Sequence, residues 1–485
     1  MNALVRILDW PTELEDALGL ALWDAGSLAL AMGGIAVGEF QVSGVEIDSR
    51  DVMEGDLFFA LKGEAMDGHR FVPAAFAKGA AAVVVDRPVD GPHILVSDTS
   101  SALELLAKTA RDRADATVIG VTGSVGKTGV KEAIFASLDR ASRGKAHRSV
   151  KSYNNHVGVP LSLSRMGART RFGVFEMGMN HAGEIAALAA QVRPHVAVIT
   201  TIAPAHIEML GSEEAIADAK AEIFGGLLPG GTAVIPADSP HYERLRDAAL
   251  AAGAKVVSFG KAAHADVRLM DAVAAPGGGS LVTADLGERR VCYTVAMPGE
   301  HWIANSLAVM ATVRAAGGDL GAAGVALAEM AGLKGRGARS EIAVDGGTAL
   351  LIDESYNANP ASMRATLAQL GATPASRRIA VLGAMKELGE HGPAFHAELA
   401  APIAAAGVDH LVLVGEEMRI LADQLGKSGG GALGKESSLA HCGTASEALA
   451  ALRELGVKSG DAILVKGSNS VGLGAVVAAL TKQEG

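Results

Sequence analysis

Gly120-Val121-Thr122-Gly123-Ser124-Val125-Gly126-Lys127-Thr128 is the stretch on which the reading of this chain turns. Residues 117–121 form an apolar, β-branched run of the kind a buried strand requires, and a helical pattern opens near Lys127. Glycines between a strand and a helix let successive backbone N–H groups point at phosphates. Lys127 adds a cation there, and Thr128 offers a hydroxyl to Mg²⁺. The strict G-x-x-x-x-G-K-[ST] spacing is not met, because Val121 stands five residues before Gly126; the variant present is Gly123-x-x-Gly126-Lys127-Thr128. An ordinary tight strand-to-helix turn is the competing reading of these residues alone.

Outward from this loop, further strands are expected at 172–176, 196–201 and 232–235, separated by helical patterns as a mostly parallel sheet requires. Before it, 22–113 mixes short alternating segments, including 57–61 and 81–86, with helices, which predicts a small α/β unit. After the Gly- and Lys/Arg-rich stretch 332–339, strands at 350–352, 379–382, 410–414 and 462–465 alternate with helices and predict another doubly wound sheet. The Gly-rich runs 276–279 and 429–431 read as loops. At roughly 100–200 residues per domain, 485 residues should divide into about three. The expected division is 1–113, 114–332 and 333–485.

Composition narrows the class. Much of the 49% hydrophobic share is alanine, and 17–38 carries Asp24 and several glycines, so it reads as a helix followed by a turn and no membrane span is expected. Asp9, Glu13 and Glu15 interrupt any secretory leader, which points to the cytoplasm. Cys292 and Cys442 are too few for a disulfide framework or a cysteine zinc site and are expected to be buried small hydrophobes. With 43 basic against 54 acidic residues, the net charge of −11 disfavours a nucleic-acid partner. A small anionic substrate held by a few local cations remains compatible.

Glu176 and His206 follow predicted strands at the sheet edge where α/β proteins bind ligands, so both are candidates for holding Mg²⁺. A helix-capping role fits Glu176 equally, and a loop histidine bonded to backbone fits His206; the residues alone leave both open. An ammonium at Lys220 would be repelled by Mg²⁺, so a solvated helical lysine is its simplest reading.

Taken together, these segments resemble the Mur ligase family of ATP-dependent amide ligases, whose phosphate loop T-G-[ST]-x-G-K-[TS] is matched by residues 122–128. Other matches follow in order: Tyr153-Asn154-Asn155-His156-Val157-Gly158-Val159-Pro160, Glu176-x-Gly178-x-Asn180-x-x-Gly183-Glu184-Ile185, Ala203-Pro204-Ala205-His206 and Ala219-Lys220-Ala221-Glu222. Gly299-Glu300-His301 with Asn305, and Lys334-Gly335-Arg336, come next. Asp353-Glu354-Ser355-Tyr356-Asn357-Ala358-Asn359-Pro360, continuing to Met363, resembles the branch that adds D-alanyl-D-alanine to UDP-N-acetylmuramoyl-tripeptide. The early Asp48-Ser49-Arg50 and Asp67-Gly68-His69 are similar to that branch's substrate-nucleotide domain. The resemblance runs from about residue 45 to about 472.

It implies an α/β protein of three domains: a small N-terminal α/β substrate domain, a central P-loop ATPase-like parallel sheet and a C-terminal Rossmann-like domain. It implies ATP and two Mg²⁺ ions. Gly123, Ser124, Val125, Gly126 and Gly129 would line the triphosphate with Lys127, which would contact the β- and γ-phosphates. Thr128 and Glu176 would hold one metal, and His206 would help hold the second. Lys220 would be carbamylated by CO₂, turning a repelled cation into a carboxylate-like ligand. Asn305 would face adenine, Asp353 the ribose, and Arg336 the triphosphate. Ser49, Arg50, Asn154 and Asn155 would lie along the UDP-muramoyl-peptide, and Tyr356, Asn357 and Asn359 would also contact substrate. A monomer working by domain closure is expected.

The chain departs from the family pattern at Val125 and Gly129, at Trp302 where Asn is frequent, in Gly383-Ala384-Met385-Lys386-Glu387, and at Asn469 after Lys466-Gly467-Ser468. Two relatives by chemistry fit less well. A folylpolyglutamate synthase would carry its phosphate loop nearer the start, and a ligase adding the third residue would carry D-N-P-R, which is absent. A non-catalytic nucleotide-binding protein would not need the whole metal set.

Overall fold

The computed structural model describes residues 21–63, 66–204, 207–275, 278–427 and 437–482. Among these, strands build three principal sheets and a two-stranded pairing of Trp23–Asp24 with Gln41–Val42. The first sheet runs in the spatial order Ile35–Val37, His93–Leu95, Ala82–Val85, Asp56–Phe59, Gly44–Glu46. It is parallel except where Ile35–Val37 joins antiparallel. Helix Ala25–Met32 starts at the Asp24 cap and ends at Gly33 in the left-handed region (φ 62°). The helix-then-turn expected over 17–38 is therefore present in its described part.

The middle sheet has nine strands. Its parallel body places Thr117–Thr122 between Phe172–Glu176 and Val196–Ile199, with Ala146–Arg148 outermost on one side. On the other side Thr232–Pro236, Lys255–Gly260 and Val267–Ala274 continue it in parallel, and Ser280–Asp285 and Arg290–Val295 extend it antiparallel. Both faces of the central strands are covered, which explains their near-continuous Val/Ile runs. At Gly120 a Cβ would meet the Met177 methyl at 2.5 Å, so the buried Met177 side chain would have to move. The antiparallel extension was not expected from the sequence. Its alternation also corrects the reading of Cys292: Tyr293 and Val295 are buried while Cys292 is exposed on the other face, whereas Cys442 is buried as expected.

The third sheet runs Ala338–Val344, Gly347–Glu354, Asp461–Lys466, Arg377–Gly383, His410–Val414, Ser438–Cys442. Only the first pairing is antiparallel. The chain is thus α/β with mostly parallel, doubly wound sheets. Among the described residues no helix is long and apolar enough to cross a membrane. Of the loop expected at 276–279, residues 276 and 277 lie outside the described residues and 278–279 belong to no strand or helix; the loop expected at 429–431 lies wholly outside them.

Candidate active site

After Thr117–Thr122 the chain crosses to the far edge at Ala146–Arg148, returns to Phe172–Glu176, then passes to the other flank at Val196–Ile199. The strand order therefore reverses beside Thr117–Thr122, and ligands of open α/β sheets bind outside the carboxyl ends of strands at such a point. The phosphate loop lies there. Ser124 N–H donates to Thr201 O (2.8 Å), and the Ser124 hydroxyl donates to Ala203 O (2.8 Å). Thr200 Oγ1 donates to Val125 O (2.6 Å). Gly123 (φ 145°) and Gly126 (φ 87°) hold conformations that only glycine adopts freely. A Cβ on the first would collide with Thr200, and one on the second would meet Asn305 Oδ1 at 2.9 Å. Helix Lys127–Ser142 has no side-chain cap, so its first-turn N–H groups remain for an anion.

Lys127 Nζ donates to the Gly123 carbonyl (2.7 Å), folding the ammonium back over its own loop. Burial lowers its pKa; Glu176 opposes that effect and Arg336 adds to it. Glu176, 1% exposed, accepts from Thr128 Oγ1 (2.8 Å) and from Asn154 Nδ2 (2.8 Å). Its own backbone N–H donates to Ser149 Oγ (2.9 Å). Lys220 on helix Glu213–Ala221 is 2% exposed, and its pKa is driven well down by burial and by the Lys127 ammonium. His206 lies outside the described residues.

These groups line a cavity of about 710 Å³ whose opposite wall comes from the third sheet. Of the residues singled out in the sequence, Ser124, Val125, Gly126, Lys127, Gly129, Glu176, Lys220, Asn154, Asn155, Asn305, Arg336, Tyr356, Asn357 and Asn359 line it. Thr128 reaches it through Glu176, while Gly123 forms the loop's outer turn. Ser49 and Arg50 do not line it; Arg50 is exposed and forks onto Asp48 (2.6 Å). Asp353 is also absent from the wall. Its carboxylate accepts from Gly335 N (2.8 Å), Ser355 N (3.1 Å) and Ser355 Oγ (2.6 Å), shaping the turn that presents Arg336 and Tyr356. The Arg336 guanidinium stacks over Tyr356 at 4.2 Å. Asn155 and Asn359 spend their side-chain oxygens on N–H groups at the starts of helices Gly158–Ser164 and Pro360–Ala372.

Several wall residues were given no role by the sequence reading. Lys466, 2% exposed at the end of Asp461–Lys466, donates to Asn357 O (2.9 Å) and lies 3.4 Å from Glu354. Its position at the carboxyl end of a predicted strand was the available signal. His301 also lines the cavity, and burial takes its pKa down to about 4, so the ring is neutral near pH 7. Trp302 packs its indole over Gly129, where a Cβ would meet Cη2 at 2.8 Å. The two departures from the family pattern are thus in contact.

Known proteins resemble this chain in sequence and fold. Residues 41–113 match the Mur ligase family catalytic domain, 121–313 the Mur ligase middle domain and 338–469 the Mur ligase glutamate ligase domain. A protein of Synechocystis sp. described as UDP-N-acetylmuramoyl-tripeptide--D-alanyl-D-alanine ligase is 38% identical over 490 residues, covering 99% of this chain and 98% of its own length. One so described in Bacillus subtilis is 34% identical, covering 90% and 92%. Among solved structures, MurF from Acinetobacter baumannii superposes with a TM-score of 0.80 at 30% identity over 95% of this chain and 99% of its own. The MurF ligase of Thermotoga maritima in complex with ADP gives 0.72 at 27%, over 91% and 98%. Matched by these family models along most of its length and by relatives 34–38% identical over nearly all of it, this chain belongs to the Mur ligase family.

Proposed function

We propose that this chain is an ATP- and Mg²⁺-dependent ligase that joins the amine of D-alanyl-D-alanine to the terminal carboxylate of UDP-N-acetylmuramoyl-tripeptide, through an acyl-phosphate, in cytoplasmic peptidoglycan precursor synthesis. The observation that carries it is the convergence of Lys127, Glu176 and Lys220 with Arg336 and Tyr356 on one cavity. The relatives named for this reaction over nearly their full length support the choice of substrates.

The residues present fit the metal. Mg²⁺ is held by one or two carboxylates together with substrate phosphates, and Thr128 and Glu176 already present hard oxygens to one another at 2.8 Å. When bound, Mg²⁺ supplies charge that holds the triphosphate and stabilises the transferring phosphoryl group. Among the described residues Lys220 has no anionic partner, and an ammonium there does not suit a cation site. Its depressed pKa favours a neutral amine, which captures CO₂ to give a carbamate and one proton. Lys220 would then join Thr128 and Glu176 as an oxygen ligand, with His206 at a second ion.

The chain's own residues would do the rest by position and charge. Lys127 exchanges the Gly123 carbonyl for phosphate oxygens, and the uncapped helix amides hold the triphosphate. Arg336 meets the same charge from the opposite wall. The tripeptide carboxylate, aligned beside Asn154, takes the γ-phosphoryl group, which replaces an oxide leaving group by phosphate. The dipeptide amine then attacks the acyl carbon, phosphate leaves and the amide forms; cations lining the cavity stabilise the oxyanion. A monomer working by domain closure is part of this proposal.

Mass spectrometry of products, with ATP, D-alanyl-D-alanine and the lysine- or diaminopimelate-containing tripeptide nucleotide, tests this. A UDP-linked pentapeptide formed with equal ADP and phosphate is expected. ADP release indifferent to the dipeptide, with no pentapeptide, would sink the reading.

A further inference from the structure

One buried cation takes no part in the chemistry above. Lys131, one turn into the helix that begins at Lys127, is 0% exposed. Burying an ammonium costs several kcal/mol unless its donors are satisfied. Here all three find partners: Lys151 O at 2.6 Å, Ser149 O at 3.3 Å and Glu132 Oε1 at 2.9 Å. An apolar side chain would fill the same space without that cost, so the pattern of partners carries the information.

Both carbonyls belong to the segment between Ala146–Arg148 and Gly158–Ser164, the loop that presents Asn154 and Asn155. This loop is held at Glu176 twice: Ser149 Oγ accepts from the Glu176 backbone N–H, and the Asn154 amide donates to Glu176 Oε1. Gly178 N–H also donates to Asn154 O (2.8 Å). Between these anchors Lys151 adopts φ 50°, a left-handed conformation unfavourable for a non-glycine residue. The Lys151 side chain in turn reaches Asp51 of the first unit (2.6 Å), next to Arg50. Lys131 therefore clamps the strained link between the nucleotide-binding helix and the loop that touches both Glu176 and the first unit.

We infer that Lys131 is a positioning residue for the UDP-linked substrate, setting the 149–155 loop against Glu176 from the helix that starts at the phosphate loop. This rests on the proposed ligase reaction, in which Asn154 lies along that substrate. Lys131→Met keeps the length and removes the donors. Its KM for UDP-N-acetylmuramoyl-tripeptide should rise about tenfold or more, while ADP affinity by calorimetry stays within about twofold of wild type. A purely structural role would weaken both together. If circular dichroism shows that Lys131→Met does not fold, Lys131→Arg decides. At a fully buried site its larger planar head displaces the carbonyls from where the ammonium holds them, and the same one-sided rise is expected. An unchanged KM for the tripeptide nucleotide in the folded variant, or equal losses of both ligands, overturns the inference. Wild-type enzyme without dipeptide-dependent ADP formation would instead indict the ligase reading, so the two failures are told apart.

Discussion

The Thr128 hydroxyl donates a 2.8 Å hydrogen bond to the Glu176 carboxylate, tying the first turn of the phosphate-loop helix to the end of the neighbouring strand. Thr128→Val removes the only polar atom of that side chain and leaves its shape. Dipeptide-dependent phosphate release should fall at least about tenfold, with the thermal midpoint moving by a few degrees at most. Undiminished kcat at subsaturating Mg²⁺ would show that the pair holds no metal.

The environment of Lys220 leads to a chemical rescue. Lys220→Ala should be nearly inactive, with part of the activity returning on addition of acetate or formate, whose carboxylate replaces the carbamate. Wild-type activity should also fall when CO₂ and bicarbonate are stripped from the buffer. A Lys220→Ala enzyme that works without additive would remove the carbamate.

Gly129 and Trp302 should be coupled. In Gly129→Ser the new Cβ would lie 2.8 Å from the indole, and overpacking of this kind costs about 1–3 kcal/mol. A lower thermal midpoint and a raised KM for ATP are expected. Gly129→Ser combined with Trp302→Asn should recover most of both. Additive losses in the double variant would show that the two positions act separately.

Acid should destabilise the fold through His147, whose pKa burial takes from 6.5 to about 4. Its Nε2 lies 2.7 Å from Ser162 O, which the neutral ring satisfies as a donor. The unfolded chain binds a proton on this ring near pH 6.5 and the folded chain only near 4, so stability falls as pH drops through that window and is flat above it. The contribution reaches up to about 3 kcal/mol. His147→Gln keeps a donor, and denaturant melts from pH 7 to 4 should show a shallower decline; parallel profiles would refute the assignment.

The phosphate loop was legible because its demands are local: glycines where φ is positive, a cation and a hydroxyl at fixed offsets. The central parallel strands were legible because burial on both faces makes them unbroken Val/Ile runs, whereas the parallel Ala146–Arg148, Lys255–Gly260 and Ser438–Cys442 were not expected. Strands Val267–Ala274 and Ser280–Asp285 were not legible either, since few of their residues are fully buried and the apolar signal thins. Within the cavity, the sequence pointed to Lys127, Glu176 and Lys220, but not to what their neighbours do. That Asn155 and Asn359 cap helices and Asp353 shapes a turn depends on which backbone N–H groups the fold brings to them. Nothing in the sequence sets Lys131 apart from other helical lysines; the Ser149 and Lys151 carbonyls come beside it only in the fold.

Arg336 is anchored on the far side of its own connector: Asp353 accepts from Gly335 N, Gly337 N donates to Asp353 O, and the guanidinium rests on Tyr356. The cation proposed to meet the triphosphate is therefore bolted to the same sheet as Lys466 and Asn357. On that proposal, any widening of the gap between sheets would withdraw it from the phosphate loop. Idle burning of nucleotide would then be guarded against, since the loop alone would lack the cation mounted across the gap.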